Sequence, residues 1–482
     1  MSSIALKRAI DRIQQGPAGP TVGAFFDYDG TLIDGYSVLA YYADRLRAGE
    51  MGLGEMANLA RQAMSKGLSD EEFDQLVRKG VLEWAGRSEA EMQALWLRLF
   101  RERIADNQFP EAWQLVQAHK RMGHTVVIAS SATRYQIEPL AQEWDIAHVL
   151  CTEVMVRKQH LTGAVLGRPA WGQGKADVVA AFARSNGIKL RQSYAYANGD
   201  EDIAFLRKVG KASAINPKEE LAQAAEQGKW PILKFAPRRI PTLKTIARSA
   251  GTYGAMAASF ATGLVYARVW GDKRRAVDLT TSLGSEMALA SAGIDIDIQG
   301  EENLWAKRPA IFIFNHQSKL DLLLMAYLVR RGLTGVAKKE VGKVPGIGAF
   351  MRMADVAFVD RGNPQGAGAA LQPVVDMLGK GLSLAIAPEG TRSLSPKLGA
   401  FKKGAFHLAM QAGVPVVPVV IRNAGELMAR GDQVLHAGTV QVAVLAPISV
   451  KRWRVETLDR HVATVRQKFI DTLADWPKDV LQ

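Results

Sequence analysis

The stretch AIFIFNHQSKLD, residues 310–321, sets a histidine and an aspartate five positions apart directly behind an apolar run. Ala310 to Phe314 is short, unbroken and bounded by Asn315, as a strand buried on both faces would be. A turn after such a strand can carry Asp321 back to His316. Alone, a histidine behind a strand is more often a packed or surface residue than a catalytic one. Its company changes the reading. DVAFVDRGN (355–363) places Arg361 after a second apolar run, and SLAIAPEGTRS (383–393) places Glu389, Gly390, Thr391 and Arg392 after a third. FKKGAFHLA (401–409) brings Lys402 and Lys403, and VPVVPVV (414–420) adds a strand containing Pro418. Three strand ends meeting at one edge of a sheet form the place where α/β folds bind ligands.

A second constellation lies far upstream. FFDYDGTLIDG (25–35) ends an apolar run in Asp27 and Asp29, with Gly30-Thr31 turning the chain away. One carboxylate can attack phosphorus as a nucleophile, and the other can protonate a leaving oxygen and then activate water. Their joint charge against a phosphate asks for a cation, and Mg²⁺ suits oxygen ligands. Alone, the motif is equally a turn with two solvated acids. TVVIASS (125–131) ends a strand at Ser130, a hydroxyl that could bind phosphate. GQGKADVV (172–179) sets Lys175 at a helix start, where charge and backbone donors both favour phosphate. SYAYANGDEDIAFL (193–206) ends a further strand in acidic residues.

Between and around these blocks, composition sets limits. The 482 residues favour several domains, and 48% apolar content allows sizeable cores. One cysteine, Cys151, excludes an internal disulfide framework and cysteine-clustered metal sites. No signal-peptide core is visible at the N-terminus, so the expectation is a reducing, cytoplasmic setting. The net charge of +13 is uneven: residues 1–230 hold 28 Lys+Arg against 28 Asp+Glu, and residues 231–482 hold 33 against 20. A basic half could face nucleic acid, an anionic leaflet or phosphorylated substrates. No zinc-finger spacing, aromatic RNA-binding motif or basic repeat supports nucleic acid. Residues 36–120 lack a clear strand signal and read as a helical cap inserted after the first strand. Ser249–Ala267 has no charged residue. It is just long enough to span a bilayer, but its Ala, Gly, Ser and Thr make insertion marginal. The alternative is a membrane-seated or protein-packed helix, with residues 276–292 as its hairpin partner.

The first four upstream blocks, in this order, resemble the phosphoserine-phosphatase-like branch of the haloacid dehalogenase (HAD) superfamily. The resemblance implies a Rossmann-like domain at 19–222 with a helical cap at about 36–120. It implies Asp27 as the nucleophile forming an aspartyl-phosphate and Asp29 as general acid/base. Ser130 and Lys175 would hold the phosphate, and Asp27, Asp29, Asn198 and Asp202 would surround Mg²⁺. The chain departs from the family at Asn198, where an aspartate is usual. A neutral oxygen should weaken metal binding, and the alternative is a catalytically weak HAD-like binding or regulatory domain.

The downstream blocks resemble the glycerolipid acyltransferases of the lysophosphatidic acid acyltransferase type. That resemblance implies an α/β acyltransferase domain at 300–482, preceded by a linker and membrane-associating helices at 223–299. It also implies transfer of an acyl group from coenzyme A or acyl carrier protein to 1-acylglycerol 3-phosphate. On this reading His316 is the base, and Asp321 fixes its tautomer and stabilises the imidazolium. Arg361 and Arg392 grip the acceptor's phosphate; Glu389, in the same substrate-binding block as Gly390 and Thr391, is suited to position a cation or backbone rather than to touch phosphate. The chain has no G-x-S-x-G elbow, so direct transfer without a protein nucleophile is expected. The whole would be a bifunctional enzyme of phospholipid synthesis at the cytoplasmic face of a membrane, peripheral or integral through the 249–292 helices.

Overall fold

The apolar runs become parallel strands in the computed structural model, which describes residues 2–54, 69–237, 240–343, 347–359 and 367–476. The chain divides into two compact units: Met1–Arg239 with Leu394–Pro396, and Ile240–Ser393 with Lys397–Gln482.

The first unit is built on a six-stranded sheet. Its strands are β1 (Gly23–Phe26), β2 (Thr125–Thr133) and β3 (His148–Thr152), then β6 (Tyr194–Ala197), β7 (Lys211–Ile215) and β8 (Ile232–Leu233). A two-stranded antiparallel hairpin, β4 (Val154–Arg157) with β5 (His160–Val165), interrupts the series. The sheet order is β3-β2-β1-β6-β7-β8, with every pairing parallel. β1 is therefore central, and the residues after it emerge at the crevice where the strand order reverses.

Helices follow from the local sequence. Asp70–Leu82 and Glu89–Leu99 each begin with a reciprocal cap, Ser69 with Glu72 and Ser88 with Glu91. The helix Pro110–Arg121, inside the span expected to be cap, instead lays Leu115, Val116 and Ala118 into the core beside the sheet. It packs against β2 and against the N-terminal helix. The N-terminal helix Ser2–Gln14, outside the expected domain boundary, buries Leu6, Ala9 and Ile13 at helical spacing in the same core.

In the second unit a long helix, Leu243–Trp270, stops at Gly271 in the left-handed conformation (φ 72°), and Lys273–Ala292 returns alongside it. The two helices pack through small residues. A Cβ on Gly263 would lie 2.0 Å from Thr280 Oγ1, and one on Gly284 would lie 2.8 Å from Ser259 Cβ. Among the described residues no helix is long and apolar enough to cross a membrane.

The sheet of this unit contains β9 (Ile294–Gln299), β10 (Ile311–Phe314), β11 (Leu333–Lys338) and β12 (Ala357–Val359), then β13 (Ser383–Ile386), β14 (Val416–Ile421) and β15 (Gly438–Val444). Its order is β12-β11-β13-β10-β14-β15-β9. Only β14–β15 is antiparallel. β10 sits centrally, between β13 and β14, with all four of its residues buried. Its C-terminal end lies next to that of β13, so NHQSKLD and PEGTRS leave the sheet side by side.

Candidate active sites

The turn after β10 is fixed by short polar side chains. Asn315 is buried; its amide donates to the Ile421 carbonyl at 2.7 Å, and its oxygen accepts from the Ile421 amide at 2.8 Å. This clamps the end of β10 to the end of β14. Ser318, also buried, donates to the Met428 carbonyl at 2.6 Å and accepts from the Leu320 amide at 3.1 Å. The helix Leu320–Val329 then begins, with Asp321 in its first turn.

That turn returns Asp321 to the histidine. His316 Nδ1 lies 2.9 Å from Asp321 Oδ2, which also accepts from the Gln317 and Ser318 amides at 2.7 and 2.8 Å. Asp321 is wholly buried, and burial pushes its carboxyl above the usual range, against the hydrogen bonds from His316 and Ser318. The His316 side chain keeps 18% exposure, and its Nε2 has no hydrogen-bond partner among the described residues. The ring thus has one nitrogen tied to a carboxylate and the other open.

The PEGTRS turn holds the histidine backbone. Glu389 Oε1 accepts from the His316 amide at 2.8 Å, and the Ser393 amide donates to the His316 carbonyl at 2.8 Å. Glu389 is buried, which raises its carboxyl pKa against the hydrogen bonds it accepts from the His316 and Gly399 amides. Gly390 has φ 77°, and a Cβ there would lie 2.8 Å from Lys402 Nζ, so the lysine runs directly over it. Thr391 is exposed. Arg392 donates to the Arg430 carbonyl, and Lys319 Nζ donates to the Asp432 carbonyl at 3.2 Å. Burial, and then Arg392, depress the Lys319 pKa. Lys403 pairs with Asp459 at 2.7 Å. Arg361 lies outside the described residues.

At the end of β1, Asp27 Oδ1 and Asp202 Oδ1 share one cation, Lys175 Nζ, at 2.8 and 2.6 Å. All three groups are buried. Burial alone would drive the ammonium towards neutrality; Asp202 and Asp27 outweigh it and hold the lysine charged. The second oxygen of Asp27 meets the Thr31 hydroxyl at 3.5 Å, and that hydroxyl also reaches Asn198 Oδ1 at 3.2 Å. Ser130, buried at the bulged end of β2, accepts from the Ala132 amide at 3.3 Å. Asp29 has hydrogen-bond partners of its own, although the charges of Asp27 and Lys175 reach it. Its oxygens accept from the Ser37 amide and hydroxyl at 2.7 and 3.2 Å, and burial pushes its carboxyl up to about 7.

The oxygens around Thr31 fit a hard cation in kind: one carboxylate oxygen and one amide oxygen converge there. They carry less charge than a carboxylate pair. Among the described residues no three His, Cys, Asp or Glu side chains form a metal-holding group. Asp200, the acidic residue next after Asn198, accepts from the Leu221 amide at 2.8 Å.

Comparison with known proteins separates the two units. The acyltransferase family model matches residues 295–422, and the haloacid dehalogenase-like hydrolase model matches residues 24–207. The 1-acyl-sn-glycerol-3-phosphate acyltransferase of Saccharomyces cerevisiae is 39% identical over 193 residues, covering 38% of this chain and 61% of that protein. The protein of that name from Limnanthes alba is 36% identical over 182 residues, covering 38% of this chain and 64% of that one. The one from Cocos nucifera is 30% identical over 217 residues, covering 45% of this chain and 68% of that one. The chain belongs to the 1-acyl-sn-glycerol-3-phosphate acyltransferase family. It spans about three fifths of the yeast relative's length and carries a HAD-like hydrolase domain besides.

Within this acyltransferase-family chain, the structure brings together His316, Asp321, Glu389, Gly390 and Arg392 in one unit, and Asp27, Lys175, Asn198 and Asp202 in the other. Asp29 is held by Ser37 rather than through the Thr31 hydroxyl. Glu389, in the expected binding block, places both oxygens on backbone amides. Asn315, Ser318 and Ser393 carry structural work in the motifs that was not read from sequence. Their signal was present: short polar side chains behind a buried strand compete for backbone groups.

Proposed function

We propose that the second unit transfers an acyl group from a thioester of coenzyme A or acyl carrier protein to the free hydroxyl of 1-acylglycerol 3-phosphate, giving phosphatidic acid. The observation that carries this reading is the His316–Asp321 pair with Nε2 open. Nε2 takes the acceptor's hydroxyl proton as the oxygen attacks the thioester carbonyl. Asp321 stabilises the imidazolium that results, and the carbon–sulfur bond breaks. The proton then passes from Nε2 to the departing thiolate. Arg392, Lys402 and Lys319 supply positive charge for the acceptor's phosphate and the anionic carrier.

The first unit, in this proposal, hydrolyses a phosphomonoester. Asp27 attacks phosphorus as the ester P–O bond breaks, Lys175 and Ser130 hold the phosphoryl oxygens, and Asp29, anchored on Ser37, protonates the leaving oxygen and then takes a proton from the water that attacks the aspartyl-phosphate, releasing phosphate and Asp27. Magnesium, when bound, supplies charge that lets a phosphate approach a carboxylate. Asp27 and Asn198 would hold it, with Asp202 beside them. Asn198 favours a second reading, in which this domain binds phosphomonoesters but turns them over weakly.

A membrane surface is the proposed setting. Leu243, Ile246, Val265, Val269, Leu283 and Met287 are exposed on the two long helices, and Lys244, Arg268, Lys273 and Arg275 lie among them. The test of the whole is a paired assay on purified protein in detergent, with lysophosphatidic acid, labelled acyl-coenzyme A and Mg²⁺. Acylated lipid lost in His316→Ala, and phosphate release lost only in Asp27→Asn, is the expected pattern. Wild-type protein that forms no acylated lipid overturns the acyltransferase reading.

A further inference from the structure

The contacts that begin at His316 do not end at Glu389. The carboxylate's second oxygen accepts from the Gly399 amide at 2.8 Å. Gly399 has no room for a side chain on that side: a Cβ would lie 2.7 Å from Glu389 Oε2. The same peptide group is gripped at its other end. Arg466 Nη2 donates to the Leu398 carbonyl at 2.6 Å, and its Nε donates to the Gly399 carbonyl at 2.8 Å. The Leu398–Gly399 peptide is thus polarised in one direction, with its C=O on a guanidinium and its N–H on a carboxylate.

Arg466 is itself held in place. It lies on the helix Leu458–Ala474, which buries Leu458, Val462, Val465 and Phe469 in the core. Phe469 meets Phe401 edge-on at 5.2 Å. Among the described residues no carboxylate pairs with the guanidinium, and its hydrogen bonds go to this one stretch of backbone. Neither Arg466 nor its helix belongs to the blocks that carry the chemistry.

We propose that Arg466 is a positioning residue for His316, acting through the Leu398–Gly399 peptide and the Glu389 carboxylate. This rests on the acyltransferase reading. Glu389 can fix the His316 amide only while its other oxygen is anchored, and that anchor is the peptide Arg466 holds. Releasing the peptide lets the carboxylate rotate and the imidazole drift from the acceptor hydroxyl. A displacement of this kind, on the order of 1 Å, costs about 100-fold in rate.

The experiment is single-turnover acyl transfer by the full-length protein in detergent, with enzyme in excess over labelled acyl-coenzyme A and lysophosphatidic acid saturating. Arg466→Met and Gly399→Ala should lower the rate constant about 10- to 100-fold, with the amplitude and the lysophosphatidic acid dissociation constant unchanged. Arg466→Lys should recover most of the rate, because an ammonium can still reach both carbonyls. An unchanged rate constant with a smaller amplitude would mark a merely structural role and overturn the proposal. Weaker lysophosphatidic acid binding at an unchanged rate constant would overturn it too. Hydrogen exchange at the His316 amide gives a second readout: it should speed up in Arg466→Met, and an unchanged rate there counts against the proposal. A wild type without acyl transfer sinks the acyltransferase reading instead, and exchange at His316 still decides the positioning claim.

Discussion

His316 Nδ1 and Asp321 Oδ2 lie 2.9 Å apart, and the same oxygen takes two backbone amides of the intervening turn. The carboxylate therefore shapes the turn as well as orienting the ring. Asp321→Asn replaces an oxygen that serves three donors by a group with half its accepting capacity, and it removes the charge that stabilises the imidazolium. Acyl transfer should fall by at least about 100-fold, and His316→Ala should fall at least as far. Binding of lysophosphatidic acid, measured by calorimetry, should survive in both. Retention of near-wild-type turnover in Asp321→Asn would remove the base-and-orienter mechanism.

Lys175 lies between two buried carboxylates, so its loss is a stability event as well as a catalytic one. Lys175→Met leaves uncompensated buried charge and should cost about 3–5 kcal/mol. Adding Asp202→Asn to Lys175→Met should recover part of that loss. The check is denaturant unfolding of the single and double variants. If the double variant is less stable than the single, the ammonium is not neutralising Asp202.

Much of this arrangement was legible in the sequence, for a physical reason. Central parallel strands are buried on both faces, so β1, β10, β13 and β14 appear as unbroken apolar runs, and the residues that terminate them carry the chemistry. Strands at or next to a sheet edge gave weaker signals. β3 is HVLCT, β7 is KASAI and β8 only two residues, while β9, IDIDIQ, alternates and sits at the rim of its sheet. Pro110–Arg121 has the helical period of a cap helix, and only tertiary packing shows that it lies against β2. Contacts such as Arg466 with the Gly399 carbonyl involve backbone oxygens 67 positions away, which no side-chain pattern encodes.

Asn198 shares the Thr31 hydroxyl with Asp27. Asn198→Asp adds a charge at an oxygen position already in place. Magnesium affinity, read by calorimetry without any turnover, should rise about tenfold or more, as added ligand charge does in other oxygen sites. Phosphate release from a soluble phosphomonoester should rise with it. Equal magnesium affinity in the two proteins would show that Asn198 is not at the metal.

Val269 and Leu283 are 63% and 55% exposed on the two long helices. Burying such a side chain in a bilayer interface contributes about 1.5–3 kcal/mol. Val269→Glu and Leu283→Glu should each weaken co-sedimentation with phosphatidylglycerol-containing vesicles about tenfold or more. Added salt should weaken it further through the neighbouring Lys and Arg. Leu82→Glu, equally exposed but on a helix of the first unit, serves as the control. Vesicle binding indifferent to all three substitutions would rule out this face as the membrane contact.

The buried pair His119 and His124 makes stability depend on pH. His124 Nε2 lies 2.8 Å from the Pro17 carbonyl, the two Nδ1 atoms lie 2.8 Å apart, and His119 Nε2 lies 2.8 Å from the Tyr196 hydroxyl. A carbonyl can only accept, so His124 donates from Nε2 and its Nδ1 accepts. His119 then donates from Nδ1, and its Nε2 accepts from Tyr196. One tautomer of each ring satisfies the whole chain, and a further proton on either ring breaks it. Burial, reinforced for His119 by His124 and Lys211, accordingly depresses both pKa values below the ordinary histidine value. The unfolded chain binds these protons first, so the contribution is complete above about pH 6.5 and is lost as pH falls below it. Each ring contributes a slope of up to about 1.4 kcal/mol per pH unit. Thermal melting from pH 8 to pH 5 should show this acid limb, and a His119→Gln, His124→Gln double variant should flatten it. An equally steep limb in that variant would assign the pH dependence to other groups.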